Sequence, residues 1–242
     1  MGFVISLDLA LDRLLHRRSD REAFLAGRLD ALDLDAEAQE ALAGVDRGQL
    51  QRTAEKVREA LLRRGHRGSG GLLALYPRTL GAWTAAHPED AELVELLSAF
   101  MESAPFDAYR ELPFAGAGLC LEEAFHRFCE AAEIGDAAVR EQEYLAAVTK
   151  ALLLSPEADF VLPAALRRAP RGVYAVSTRG APTLYAALAG RFVTGSITPF
   201  LAELLTGAAP PEETARRHGV GEAALQASWA QLAGMGLVGS GG

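Results

Sequence analysis

The chain is poor in the residues that most often do chemistry. Its 242 residues include two cysteines and five histidines, too few for a disulfide framework or a thiolate metal cage. Lysine is scarce too: Lys56 and Lys150 stand against twenty-two arginines, a bias that reads as coding preference rather than phosphate binding. No uncharged apolar run reaches the roughly 18 residues that a bilayer span needs. Met1–Leu15 is interrupted by Asp8 and Asp12 and has no basic residues before it, so it reads as the start of an amphipathic helix, not a signal peptide. Gly2 with Phe3–Ser6 fits a myristoylation pattern only loosely. Gly65–Gly71 (GHRGSGG) has neither a preceding strand nor the Gly-Lys-Ser/Thr ending of a P-loop. There is no G-x-S-x-G elbow, and the serines near His16 and His66 lack an orienting acid. What remains is a globular composition, 50% hydrophobic and 23% charged, expected in the cytoplasm with no membrane and no cofactor.

The net charge of −8 is unevenly spread. Residues 1–70 carry 12 basic and 12 acidic side chains, 71–165 carry 5 and 16, and 166–242 carry 7 and 4. Charge asymmetry of this kind suggests separate modules. The expected organisation is a helical leader-like or docking domain at 1–65, a linker at 66–71, an acidic all-α domain at 72–165 and a small α+β module at 166–242. The fold class is mainly α.

Periodicity fills in these segments. Asp35 is placed to cap a helix over Ala36–Ala43, and Asp46 or Gly48 to start a longer one through Arg64. Leu93, Leu96, Leu97 and Phe100 share one helix face, as do Leu121, Phe125, Phe128 and Ala132. Between them Pro105–Gly118 reads as irregular, and a further helix is predicted over Tyr144–Leu154. Arg167–Gly172 (RRAPRG) reads as a loop. Gly172–Ser177 and Pro182–Leu188, split by Thr178–Arg179–Gly180, predict a hairpin, with Arg191–Thr194 as a third strand. Helices follow over Thr198–Thr206, Pro211–Arg217 and Glu222–Met235, with Pro199 and Pro211 in first turns and Gly207 and Gly219 at C-terminal caps. Three strands and three helices describe a winged-helix-like module.

Few constellations carry chemistry. Cys120, His126 and Cys129 lie 6 and 3 residues apart, a spacing that turns Cys120 about 120° away from His126 on a helix; zinc sites use tighter pairs and four ligands. Two core cysteines and a half-exposed histidine are the simpler account. Glu123-x-x-His126 occurs once, whereas a di-iron bundle needs two such motifs and two more glutamates. No catalytic residue and no metal ligand is assigned. The helix–glycine–helix rhythm of Glu212–Leu232 suits a helix-turn-helix, yet Glu222–Leu232 contains no Arg or Lys, which a base-reading helix wants. Nucleic acid is therefore not the expected partner, and a winged-helix transcription regulator with an all-α effector domain stands as the alternative reading. A strand edge beside an apolar helix is better suited to a peptide.

The strands GVYAVS, LYAAL and RFVT, the helix pair FLAELLTGAAPPEETA and the closing LAGMGLV resemble the precursor-recognition domains of ribosomal-peptide (RiPP) biosynthesis. Upstream, Tyr109–Ala132 (YRELPFAGAGLCLEEAFHRFCEAA) and Tyr144–Pro163 look like the helical part of partner proteins of multinuclear non-heme iron oxidases, as in methanobactin-type pathways. REAFLAGRLDALDLDAEAQEAL is similar to the small helical domains of some leader peptides and borosin-type precursor-binding modules. These resemblances imply a non-catalytic partner protein that holds a precursor peptide and presents it to an iron-dependent oxidase, which carries the irons itself. They also imply a peptide groove along Arg191, Phe192 and Val193, facing Leu225, Trp229 and Leu232.

Overall fold

The computed structural model describes residues 7–32, 34–64, 70–111, 120–154 and 162–239. Among these the chain is mainly helical, with one small antiparallel sheet near its C-terminus. The first helices are α1 (Leu7–His16), α2 (Arg18–Leu25), α3 (Ala36–Ala43) and α4 (Arg47–Glu59), the last running into a π-helical turn at Ala60–Arg64. Local chemistry sets the starts of α3 and α4. Asp35 accepts from Ala38 N at 2.6 Å and Asp46 from Gln49 N at 2.8 Å, each satisfying a helix-end donor for about 1 kcal/mol. Leu14, Phe24, Leu32, Leu42 and Leu50 form the small core of this bundle.

The middle helices are α5 (Leu72–Leu75), α6 (Pro77–Ala86), α7 (Asp90–Met101), α8 (Ala104–Glu111), α9 (Leu121–Ala131) and α10 (Ala137–Leu154). Three expectations are corrected here. Within the stretch read as irregular, Pro105–Glu111 is helical, because proline in a first turn forfeits no helical hydrogen bond; residues 112–119 lie outside the described residues. α10 starts seven residues before Tyr144, at Ala137, where Asp136 accepts from Ala138 N and Val139 N. Polar residues obscure that first part in the sequence, and they serve neighbouring helices. Glu143 accepts from Arg78 N, Thr79 N and Thr79 Oγ1 at the start of α6. Arg140 donates to the carbonyls of Ile134 and Gly135 just beyond α9. The third correction is a strand, β1 (Arg167–Ala169), where a loop was expected. It is only three residues long, and both its arginines are exposed, so no apolar alternation marks it.

β2 (Gly172–Ser177), β3 (Thr183–Leu188) and β4 (Arg191–Ser196) complete a meander in the order β1-β2-β3-β4, every pair antiparallel. The chain ends in α11 (Pro199–Thr206), α12 (Pro211–Arg217) and α13 (Glu222–Met235). Thr198 caps α11 by accepting from Leu201 N, and Gly207 closes it with a φ of +62°, a conformation glycine adopts without a Cβ penalty.

The sheet is covered on both faces. Ala175, Tyr185 and Phe192 pack into the large core built by α5–α10, with α10 lying across β2, β3 and β4. Tyr174, Leu184, Ala186 and Leu188 point the other way, into a core shared with Phe200, Leu204, Leu205 and Leu232 of the last helices. Strand alternation makes the division. Glu141 of α10 accepts from Ser177 Oγ at 2.7 Å and from Arg179 N at 3.2 Å, tying the helix to the β2–β3 hairpin. The packing units therefore cross the charge boundaries: Leu62 and Tyr185 belong to one apolar cluster with the acidic helices. The head docks on those helices through Val57, Leu61 and Leu62, which pack on that cluster, and through charge. Arg17 pairs with Asp107 at 2.6 Å, Arg18 with Glu95, and Ser19 N donates to Glu102 at 2.7 Å.

Of the glycine-rich linker, residues 65–69 lie outside the described residues, as does Gly2. Gly71 is a packing residue: a Cβ there would collide with the Leu62 carbonyl. No helix among the described residues is long and apolar enough to cross a membrane.

Candidate functional site

Among the described residues β4 is the outer strand of the sheet, paired with β3 alone. Its register is set by a two-residue turn at Ala189–Gly190, both residues at positive φ, the type I′ geometry that matches strand twist. Leu188 and Arg191 close this turn. Ladder bonds to β3 then fall on Arg191, Val193 and Gly195, and Ile197 N donating to Pro182 O continues the same parity. The backbone groups of Phe192, Thr194 and Ser196 consequently point outward. Among the described residues none of these amides donates to a backbone group outside the sheet. Among the described residues β4 thus offers a row of unmet donors and acceptors, the template for adding a strand.

Side chains of β4 alternate between two environments. Phe192 packs toward α10, where Lys150 Nζ sits 4.9 Å from its ring centroid. Val193 lies on the opposite face, half-buried against the same core as Leu225 and Trp229. Leu232 is inside that core, 5% exposed. Arg191 is exposed at the turn. The sequence reading is corrected on one point: Phe192 does not face Leu225, Trp229 and Leu232, because adjacent strand residues project to opposite sides of a sheet. Val193, Leu225 and Trp229 are brought onto one core; Phe192 belongs to the other. Sequence reasoning missed Lys150, forty-two residues before Phe192, because no local pattern links a helix to a strand so far along the chain. It also missed Gly195, which shares the Val193 face and where an added Cβ would meet nothing within 4 Å.

α13 is the second element of interest. Its sequence, EAALQASWAQLAGM, is apolar around most of its circumference, yet Leu232 is its only buried residue. Met235 is 37% exposed, and Ala223, Ala224, Ala227 and Ala230 are exposed as well. A helix apolar on all sides is ordinarily enclosed. This one covers the sheet with a single edge. The indole Nε1 of Trp229 is buried with no acceptor among the described residues.

The other chemistry-bearing groups are committed to packing. Cys129 is buried and Cys120 sits at the N-cap of α9. Burial pushes the Cys129 thiol up to about 12, far from a thiolate at neutral pH. His126 stacks on Tyr144, ring centroids 4.3 Å apart, and burial holds its pKa below the usual histidine value. Glu123 pairs with Arg127 at 2.6 Å. No group of three or more His, Cys, Asp or Glu among the described residues is arranged to hold a metal ion. A cleft of about 300 Å³ opens between α1 and α8, lined by Leu9, His16, Arg17, Met101 and Phe106 among others. Arg13 there is engaged by Asp20 and Arg17 by Asp107. Burial, with the charge of Arg21 beside it, lowers the His16 pKa to about 4.

Neither a family model, nor a curated protein, nor a solved structure matches the chain. The functional reading therefore rests on the geometry of β4 and α13.

Proposed function

We propose that this chain is a non-catalytic partner protein that binds a ribosomally synthesised precursor peptide and presents it to an iron-dependent oxidase. The observation that carries the reading is the outer edge of β4, whose backbone groups at Phe192, Thr194 and Ser196 face away from β3, with a largely exposed, apolar α13 packed into the core on one face of that sheet. An extended peptide would add as a fifth strand, main-chain hydrogen bonds supplying affinity and side-chain contacts supplying choice. Val193, Leu225 and Trp229, half-buried on one core, provide apolar contact. Leu232 supports Trp229 from within.

The middle helices suit a basic partner surface. Of their acidic residues, Glu95, Glu102 and Asp107 hold the N-terminal head, while Glu89, Glu130, Glu133 and Asp136 are exposed. These are the contacts we assign to the oxidase.

Panning a random dodecapeptide library on the full chain tests the central claim. Selected peptides should bind saturably, and Thr194→Pro should weaken them at least about tenfold, since it deletes an outward N–H without touching the β3–β4 ladder. Undiminished binding to that variant overturns strand addition.

A further inference from the structure

The two rows of side chains that flank the β4 edge differ in kind, and the difference specifies an occupant. In an antiparallel ladder, residues directly opposite each other share a face, with Cβ atoms about 4.5–5.5 Å apart. A peptide residue opposite Phe192 would therefore project toward α10, beside the Lys150 ammonium that lies over the Phe192 ring. A residue opposite Val193 or Gly195 would project toward the layer of α11–α13. Gly195 has no side chain and open space where one would be, leaving a gap in the side-chain row next to half-buried Val193. At the turn end of the strand stands Arg191, exposed.

Charge completes the pattern. Lys150 and Arg191 are both exposed, and neither has a carboxylate within ion-pair distance among the described residues. Arg28, Arg47, Arg167, Arg168, Arg171 and Arg216 likewise have none among the described residues, whereas Arg13, Arg17, Arg127 and Arg217 do; what sets Lys150 and Arg191 apart is their place beside the outer strand. Two unmatched cations at one end of an open strand edge, in a chain of net charge −8, mark that end for an anion. Every strand pair in the sheet is antiparallel, and that pairing is also slightly the more stable per residue. Run antiparallel to β4, an added strand meets Gly195 first and Arg191 last.

Resting on the strand-addition reading above, we propose that the occupant is an extended peptide with large apolar residues opposite Gly195 and Val193, followed by two acidic residues opposite Phe192 and Arg191. The apolar residue opposite Gly195 covers that gap. The carboxylates that follow meet Lys150 on the α10 face and Arg191 on the other. The residue between the two apolar ones, opposite Thr194, is unconstrained.

Fluorescence polarisation with the full chain tests this, using a labelled synthetic peptide with the core Phe-Thr-Leu-Glu-Glu between Gly-Ser flanks and a twin ending in Gln-Gln. At low salt the acidic peptide should bind at least about tenfold more tightly than its twin, and Lys150→Glu combined with Arg191→Glu should abolish the difference. Gly195→Val should weaken both peptides without lowering the melting temperature, because valine is favoured in strands. Equal affinity for the two peptides, a preference that survives both charge reversals, or no binding of either overturns the proposed sequence class. Library-selected peptides separate this from the underlying reading. If they bind and are lost in Thr194→Pro, the edge stands and only its specificity falls; if they keep full affinity in that variant, the edge itself is excluded.

Discussion

β3 and β4 are adjacent strands of six residues each, and their surroundings are opposites. β3 is hydrogen-bonded along both edges, to β2 and β4, and lies between α10 and the last three helices. Five of its six residues are buried. β4 is bonded along one edge, and Thr194, Gly195 and Ser196 are exposed. The sequences differ accordingly: TLYAAL is a near-continuous apolar run, as expected of a strand enclosed on two faces, whereas RFVTGS loses apolar residues toward its end. The comparison teaches that the strand enclosed on both faces and the strand we propose to bind are separate. A mutation can then reach one without the other.

The largest effect should come from a charge placed in the enclosed strand. Ala186 is 0% exposed, and Ala186→Asp buries a carboxylate with no partner, costing about 4 kcal/mol or more; circular dichroism should show the β-module lost. Leu184→Ala removes buried apolar volume from the same strand, and its urea midpoint should fall by the equivalent of about 2–4 kcal/mol. Thr194→Pro in β4 should cost no more than about 1 kcal/mol by the same measurement, proline being tolerated where the strand N–H faces solvent. A loss as large as that of Leu184→Ala would mean that the outer edge of β4 is not open, and would break the comparison. The smallest effect is expected at Gly195→Val, within about 1 kcal/mol of the parent and on the stabilising side, since glycine in a strand is entropically unfavourable.

Acid adds a test of the opposite region, the docked head. The His16 pKa is lowered to about 4 in the fold against a usual value of about 6.5. The unfolded chain therefore takes up a proton near pH 6.5 that the folded chain refuses until about pH 4. Stability should fall as pH drops through that window. His16→Gln should flatten the decline measured by urea unfolding, while Thr194→Pro should leave it unchanged.

Much of this arrangement is legible in the order of the amino acids. The caps at Asp35, Asp46 and Thr198, the first-turn prolines Pro199 and Pro211 and the strands β2–β4 follow from local hydrogen bonding and from periods of 2 and 3.6 residues. That Arg191, Phe192 and Val193 share a strand is legible too, although their division between two faces is not. What escapes is of two kinds. Short or polar elements lack a periodic signal: β1 has three residues, and the first half of α10 carries Arg140 and Glu143, whose partners are the ends of other helices. Contacts distant along the chain leave no local trace, as with Lys150 over Phe192 and Gly71 against Leu62.

Sequence alone determined where most of the helices and strands begin, that the last helix is apolar without a basic face, and that charge is partitioned along the chain, because each of these depends on neighbours within a few residues. Tertiary structure decided which face of the sheet each β4 side chain meets, that α10 joins the acidic helices to the C-terminal module in one core, and that the outer edge of β4 is left open by the described residues. Those outcomes depend on which surfaces find each other once the chain is closed, and burial is shared among residues far apart along it.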